Sequence, residues 1–307
     1  MKVGLALGGG AARGLAHIGV LKVLERERIG VDLVTGTSMG ALVGGLYAAD
    51  QDALKLENDL GAFFRSPAFR KTKLHFLRER RREKEEERRS PILFNLANFL
   101  TKGWVIGAGF TRQSFIPTEE LLANLGGLLS DREISTLPIP FAAVALDIEN
   151  GQPVLLARGS LKQAVMASSA LPGIFPPVTI DGRLLVDGGW TEPVPAAAAR
   201  RMGAEFVIAV DVTGGPGEEA EMDKGLNILL RAYTAAHLRL KEEILKDADW
   251  VLRPDTSGIH WADFSRFTQS VQAGEAAAAS DFELIRREIT RRKTWSVKSW
   301  FGDWAGR

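Results

Sequence analysis

Val31-Asp-Leu-Val-Thr-Gly-Thr-Ser-Met-Gly-Ala-Leu42 is the stretch on which the fold turns. A short apolar, β-branched run reaches Gly36, and an Ala/Leu/Gly-rich run of helical character leaves Gly40. Between them stands Gly36-x-Ser38-x-Gly40, the sequence form of a nucleophile elbow. The logic is steric. A serine on a sharp strand-to-helix turn occupies a strained backbone region, and small neighbours let strand and helix close around it. Its hydroxyl then stands clear of the backbone near a helix N-terminus, where developing negative charge is stabilised. The pattern is weak by itself in a chain with 32 glycines among 307 residues, and its place between strand and helix signals gives it weight.

Upstream, Val3 to Leu7 reads as a buried strand followed by Gly8-Gly-Gly-Ala-Ala-Arg-Gly14. Leu15, Ile18, Val20, Leu21 and Leu24 then recur at helical spacing up to Glu25-Arg-Glu-Arg28. Strand, glycine loop and helix in this order bind phosphate in dinucleotide folds. Here, however, Arg13 stands where that fingerprint requires glycine, and Asp32 opens the next strand instead of ending it. No Gly-Lys-Ser/Thr follows, so a P-loop is excluded as well. There remains a loop whose amides can face an anion, as an oxyanion hole requires, or a tight packing turn.

Composition narrows the class. Hydrophobic residues make up 45% and charged residues 25%, which is ordinary globular usage. A net charge of +1 offers nucleic acid no electrostatic partner surface. The absence of cysteine removes disulfides and thiol chemistry and fits a cytoplasmic protein. Lys2 and its apolar sequel resemble a signal peptide only until Gly8, Gly9, Gly10 and Arg13 interrupt the run, and no uncharged stretch is long enough to span a bilayer. No His/Asp/Glu spacing of ligand type appears, so neither metal nor cofactor is expected.

Further along, residues 41–64 read as continuing helix. Arg78-Glu-Arg-Arg-Arg-Glu-Lys-Glu-Glu-Glu-Arg-Arg89 has opposite charges at i,i+4 spacing, the pattern of a solvated, salt-bridged helix. Pro91 to Leu100 and Trp104-Val-Ile106 are apolar by contrast. Together, residues 65–110 are expected to form a helical cap insertion beside the site, with core as the other reading of the apolar part. Residues 111–129 read as one or two helices, and Ser130-Asp-Arg-Glu133 as a helix start. Pro138 to Asp147 is a strand with prolines at its entry. Asn150-Gly151 and Asp181-Gly182 are hairpin signals, the second leading into Arg183-Leu-Leu-Val-Asp-Gly-Gly189. Alternation of strands and helices, closing with Phe206 to Val212, Leu226 to Leu245 and Trp250 to Arg253, argues for an α/β fold with a mainly parallel sheet. Gly214 to Glu219 reads as a loop.

Gly8-x-Gly-x-x-Arg-Gly14, Gly36-x-Ser-x-Gly40 and Asp187-Gly-Gly189, in that order, resemble the signature blocks of the patatin-like phospholipases, bacterial members above all. The likeness covers roughly residues 1–215. It implies a three-layer α/β/α fold with a Ser-Asp dyad and no histidine. On that resemblance Ser38 is the nucleophile and Asp187 the base. Gly8, Gly9, Gly10 and Arg13 form the oxyanion hole, and Gly14, Gly36, Gly40, Gly188 and Gly189 are the motif glycines. The implied activity is serine acyl hydrolysis of lipid carboxylic esters, phospholipid or acylglycerol, without a cofactor.

Alternatives stay open at this stage. Ser38, Asp187 and then His237 or His260 follow the chain order of a Ser-Asp-His esterase, with His260 the better placed of the two. His17 reads as a packing residue. Ser168 and Ser169 are rival serines that lack flanking glycines. A regulatory or adaptor protein retaining the hydrolase shell would explain the charged segment and the C-terminal tail. That tail, 293–307 beyond a single catalytic domain over 1–292, is basic and tryptophan-rich, with Val297, Trp300, Phe301 and Trp304 on one helical stripe. Residues 291–304 and 91–106 are the candidates for peripheral contact with the inner face of a membrane, while packing of the tail stripe against the body or another subunit would use the same residues. Oligomeric state is not legible.

Overall fold

Four strands are buried at every residue, and they set the architecture. β1 (Val3–Leu7), β2 (Leu33–Thr37), β3 (Phe141–Asp147) and β7 (Phe206–Val210) are buried throughout, as expected where both faces of a sheet are covered. The computed structural model describes residues 1–70, 128–129, 131–213 and 225–304. Within them β4 (Pro153–Leu156), β5 (Val178–Ile180), β6 (Arg183–Asp187) and β8 (Trp250–Leu252) complete an eight-stranded sheet of hydrogen-bonded order β5-β6-β3-β2-β1-β7-β8, with β4 beside β3. β3, β2, β1, β7 and β8 run parallel, while the β3–β4, β3–β6 and β5–β6 pairs are antiparallel.

Alternation along the strands divides the core into two layers. Leu5 and Leu7 join one cluster with α1 (Ala16–Arg26), α2 (Met39–Asp50), α3 (Ala53–Arg65), α4 (Leu161–Ser168) and α7 (Phe267–Trp304). Ala6, Val207 and Ala209 face a smaller cluster under α5 (Ala196–Arg201). The chain is therefore a three-layer α/β/α fold with a mainly parallel central sheet, as expected. α1 and α7 cross where both are glycine: a Cβ on Gly19 would strike the Val271 carbonyl, and one on Gly274 the Ala16 carbonyl. α6 (Gly225–Ile244) lies outside both clusters and is docked by a buried ion pair, Lys241 Nζ to Asp211 Oδ2 at 2.8 Å.

Two expectations change. The helix expected over residues 41–64 is two helices. Gln51 adopts φ +52° and ends α2, and the Asp52 side chain accepts the Lys55 amide at 2.8 Å to start α3, so local capping overrides the continuous apolar pattern. The start at Ser130–Glu133 leads to a single 3-10 turn, Ile134–Thr136, capped by Glu133. α7 crosses position 293 unbroken, anchored just before it by Arg292 Nη1 on Asp249 Oδ1 at 2.5 Å. Most of the cap region 65–110, with the 91–106 segment, the helices expected over 111–129 and the loop 214–219, lies outside the described residues. So do the side chains of the tail tryptophans. No helix among the described residues is long and apolar enough to cross a membrane.

Candidate active site

Register brings Ser38 and Asp187 together. β4 pairs with Ala143 to Leu146 and takes one edge of β3, so β2 and β6 must share the other. Along that shared edge β2 rises to Thr37 opposite Val144, and β6 descends to Asp187 opposite Ala145. The two strands meet end to end, and the residues at their tips face each other.

Local sequence shapes each tip. Ser38 has φ 56° and ψ −121°, between the end of β2 and the first turn of α2. This conformation is strained for a residue with a Cβ. Glycine makes it sterically feasible: a Cβ on Gly36 would collide with the Gly40 carbonyl, and one on Gly40 with the Leu7 carbonyl. Gly14 lies as tightly against Met39, and Gly188 against the Val144 carbonyl. Asp187 is 3% exposed, accepts the Gly189 amide at 2.8 Å and has the Ser38 hydroxyl among the groups that favour its ionised form. Burial pushes its carboxyl up to about 6, against the opposing pull of the Ser38 hydroxyl and the Gly189 amide. Thr35 and Thr37, both buried, tie β2 to the segment after Asp187 by donating to the Pro195 and Glu192 carbonyls at 2.9 Å.

The glycine loop passes beside Ser38, with room for a Cβ on Gly9 only 3.4 Å from the Ser38 Cβ. Its amides divide differently from expectation. Gly8 donates to Val210 O at 3.1 Å and Gly9 to Pro193 O at 2.9 Å, so these two are engaged in holding the loop. The amides of Gly10 and Ala11 have no acceptor among the described residues, and both residues line the cavity over Ser38. Ala11 has φ 46°, a further strained residue at the site. The Arg13 guanidinium turns away, donating to Ile259 O and Thr213 O at 2.7 Å, and so clamps two distant loops. His17, wholly buried, bonds the Gly8 carbonyl through Nε2 at 2.7 Å. Desolvation lowers it to about 4, so the ring is neutral and Nε2 is the donor. Packing is thus joined by a role in fixing the loop.

Above Ser38 lies a cavity of about 390 Å³, within the roughly 300–1,000 Å³ of small-molecule sites. One part is aromatic: Phe63, Phe64, Phe69 and Phe264 pack together, with Phe64 stacked on Phe264 at 4.7 Å. Another wall carries Trp190, Tyr233 and His237, with ring centroids 4.8 and 5.6 Å apart in sequence. Of the two candidate triad histidines, His237 is therefore the one at the cavity. Burial, then the Lys241 charge, lowers its pKa. His260 instead accepts the Ala262 amide through Nδ1 at 3.3 Å and does not line the cavity.

Ser169 lines the cavity, but Ser168 is the residue that sequence reading undervalued. Its buried hydroxyl accepts the Ser38 amide at 2.9 Å and donates to Val144 O at 2.6 Å. A signal existed: Leu161, Ala164, Val165 and Ser168 form one buried helical stripe, and a serine there needs polar partners. Ala11 carried no such signal, since its free amide depends on bonds made around it.

Comparison with known proteins bears on the same residues. The family model described as patatin-like phospholipase matches residues 5–200. An uncharacterized NTE family protein of Mycobacterium bovis is 36% identical over 240 residues, covering 76% of this chain and 57% of its own length. Mouse patatin-like phospholipase domain-containing protein 6 is 34% identical over 95% of this chain and 22% of its own. This chain thus spans little more than half of the mycobacterial relative and about a fifth of the mouse one. Among solved structures, VipD from Legionella pneumophila has a TM-score of 0.46 at 14% identity, covering 91% of this chain and 66% of that one.

Proposed function

The chain belongs to the patatin-like phospholipase family, and on that premise we propose that it is a serine acyl hydrolase cleaving lipid carboxylic esters through Ser38 and Asp187. The observation that supports the reading is a strained Ser38 and a buried Asp187 of raised pKa lining one apolar cavity. A solvated aspartate is a feeble base, whereas one poised near 6 can accept a proton from a serine it already touches.

In the proposed cycle the aromatic part of the cavity takes the acyl chain. Ser38 Oγ attacks the ester carbonyl carbon while its proton passes to Asp187, and the amides of Gly10 and Ala11 receive the oxyanion. Collapse breaks the ester C–O bond, and Asp187 returns the proton to the departing alcohol. Water then attacks the acyl-enzyme with Asp187 again taking a proton, and the second collapse frees the fatty acid and restores Ser38. The adaptor reading has less support, because a desolvated carboxylate beside a strained serine is costly to keep where no chemistry uses it. A Ser-Asp-His triad also has less support, since the groups that shift the Asp187 carboxyl include the Ser38 hydroxyl and no histidine.

A fluorophosphonate probe tests the reading. Label is expected on the peptide containing Ser38, and hydrolysis of a short-chain ester should fall by about 10³-fold or more in Ser38→Ala and Asp187→Asn. Full esterase activity in either variant would sink it.

A further inference from the structure

Ser38 and Asp187 come from different strands, yet one short segment that belongs to neither strand touches the backbone of both. At the end of α4, Ser168 Oγ accepts the Ser38 amide at 2.9 Å and donates its own hydrogen to Val144 O at 2.6 Å. Two residues on, the Ala170 carbonyl accepts the Asp187 amide at 3.0 Å. Val144 is itself the residue opposite the tip of β2, and its neighbour Ala145 lies opposite Asp187. A fully buried hydroxyl is thus fastened to the strand both reacting residues share as a neighbour.

We infer that Ser168–Ala170 is a positioning clamp for the reaction, with Ser168 the positioning residue that holds the Ser38 turn at hydrogen-bonding distance from Asp187. The inference rests on the Ser38–Asp187 reading and adds to it a residue that touches no substrate. A hydroxyl suits this role, since its one oxygen accepts from one backbone group while its hydrogen goes to another. An alanine would leave the Ser38 amide and the Val144 carbonyl unmet in the interior, and the peptide before Ser38 would be free to turn toward other partners. Ser38 sits in a sparsely populated conformation that persists only when its surroundings enforce it. Misplacement of a nucleophile by about 1 Å can cost on the order of 10²-fold in rate.

The test is the rate of Ser38 phosphonylation by the fluorophosphonate, with kcat and KM for a short-chain ester, in Ser168→Ala and in Thr256→Val. Thr256 provides a matched control: its buried hydroxyl also bonds a backbone carbonyl, Val212 O at 2.8 Å, without touching Ser38 or Asp187. In Ser168→Ala, phosphonylation and kcat should fall about 10- to 100-fold with KM little changed. The acidic limb of the pH–rate profile should also move upward, because the Ser38 hydrogen bond that favours ionised Asp187 is weakened. Thr256→Val should lose stability and keep its phosphonylation rate. Should Ser168→Ala fail to fold, Ser168→Cys decides, since a thiol is a weaker donor and acceptor: an intermediate rate supports the clamp and a wild-type rate overturns it. Ser168→Ala within twofold of wild type, or Thr256→Val slowed as much, would also overturn it. Wild-type protein that takes no label on Ser38 removes the underlying reading and the clamp together. Labelled wild type beside an indifferent Ser168→Ala removes the clamp alone.

Discussion

Ser38 ends a strand in the parallel half of the sheet and Asp187 ends one in the antiparallel half, and different forces hold them. On the serine side contacts of backbone on backbone come first, with the Ser168, Thr35 and Thr37 hydrogen bonds added to them. Gly36, Gly40 and the end of β1 approach so closely that no Cβ fits between them. On the aspartate side β5 and the start of β6 are partly exposed, and the hairpin turns through Asp181 at φ +50° and Gly182 at φ +76°. There, apart from Gly188 packed against the Val144 carbonyl, placement comes from hydrogen bonds, to the Gly189 amide and the Ala170 carbonyl. Steric exclusion leaves one arrangement and tolerates no added atom. Hydrogen bonds leave more freedom and can be weakened by degrees.

Gly40→Ala would break this comparison most severely if it proved mild. Its Cβ would meet the Leu7 carbonyl and the Gly8 carbonyl, both backbone atoms of a central strand and its loop, so relief requires moving β1. A loss of at least about 3 kcal/mol in denaturant unfolding is expected, at the severe end for overpacking. A loss below about 1 kcal/mol would mean the elbow is far more compliant than its packing suggests.

This contrast also explains what could be read in the sequence. Steric demands leave their mark on adjacent residues, so Gly8–Gly14, Gly36–Gly40 and Asp181-Gly182 announced a loop, an elbow and a hairpin from short windows. Hydrogen-bond partners are distant. The engagement of the Gly8 and Gly9 amides depends on Val210 and Pro193, remote in sequence, so the lack of an acceptor for the Gly10 and Ala11 amides among the described residues could not be inferred locally. Arg13 looked like part of an anion site because its targets, Ile259 and Thr213, are equally remote. The break at Gln51 was obscured because apolar periodicity continues through it, and two aspartates flanking one residue were the only sign of the cap.

The aspartate side sharpens through pH. With Asp187 held up to about 6 by burial, kcat/KM for a short-chain ester should show an acidic limb near pH 6, falling about tenfold per unit below it. Stability should move the other way. A carboxyl whose pKa is raised on folding contributes most below its unfolded value near 3.8, and that contribution is lost as pH rises through the folded value of about 6. Asp187→Asn removes the ionisation, so its Tm should exceed that of wild type at pH 8, and the difference should shrink toward pH 4. A limb near 4, or an Asp187→Asn protein no more stable at pH 8, would mean that water reaches the carboxylate.

The smallest effect bears on whether the hairpin itself helps to place Asp187. Gly182 has φ +76° and open space where a Cβ would go, so Gly182→Ala meets strain in the turn and no collision. About 1 kcal/mol of stability should be lost, consistent with a single left-handed residue acquiring a Cβ. Asp187 lies five residues further on, with its amide on Ala170 and its carboxylate on Gly189, so a small adjustment of the turn is absorbed before it reaches the site. The measured kcat at a temperature well below Tm should therefore match wild type within about twofold, a difference of only about 0.4 kcal/mol in barrier. A tenfold fall in kcat with the same small loss of stability would show that register is transmitted from the turn to the carboxylate. The antiparallel half would then be as rigid as the half that carries Ser38.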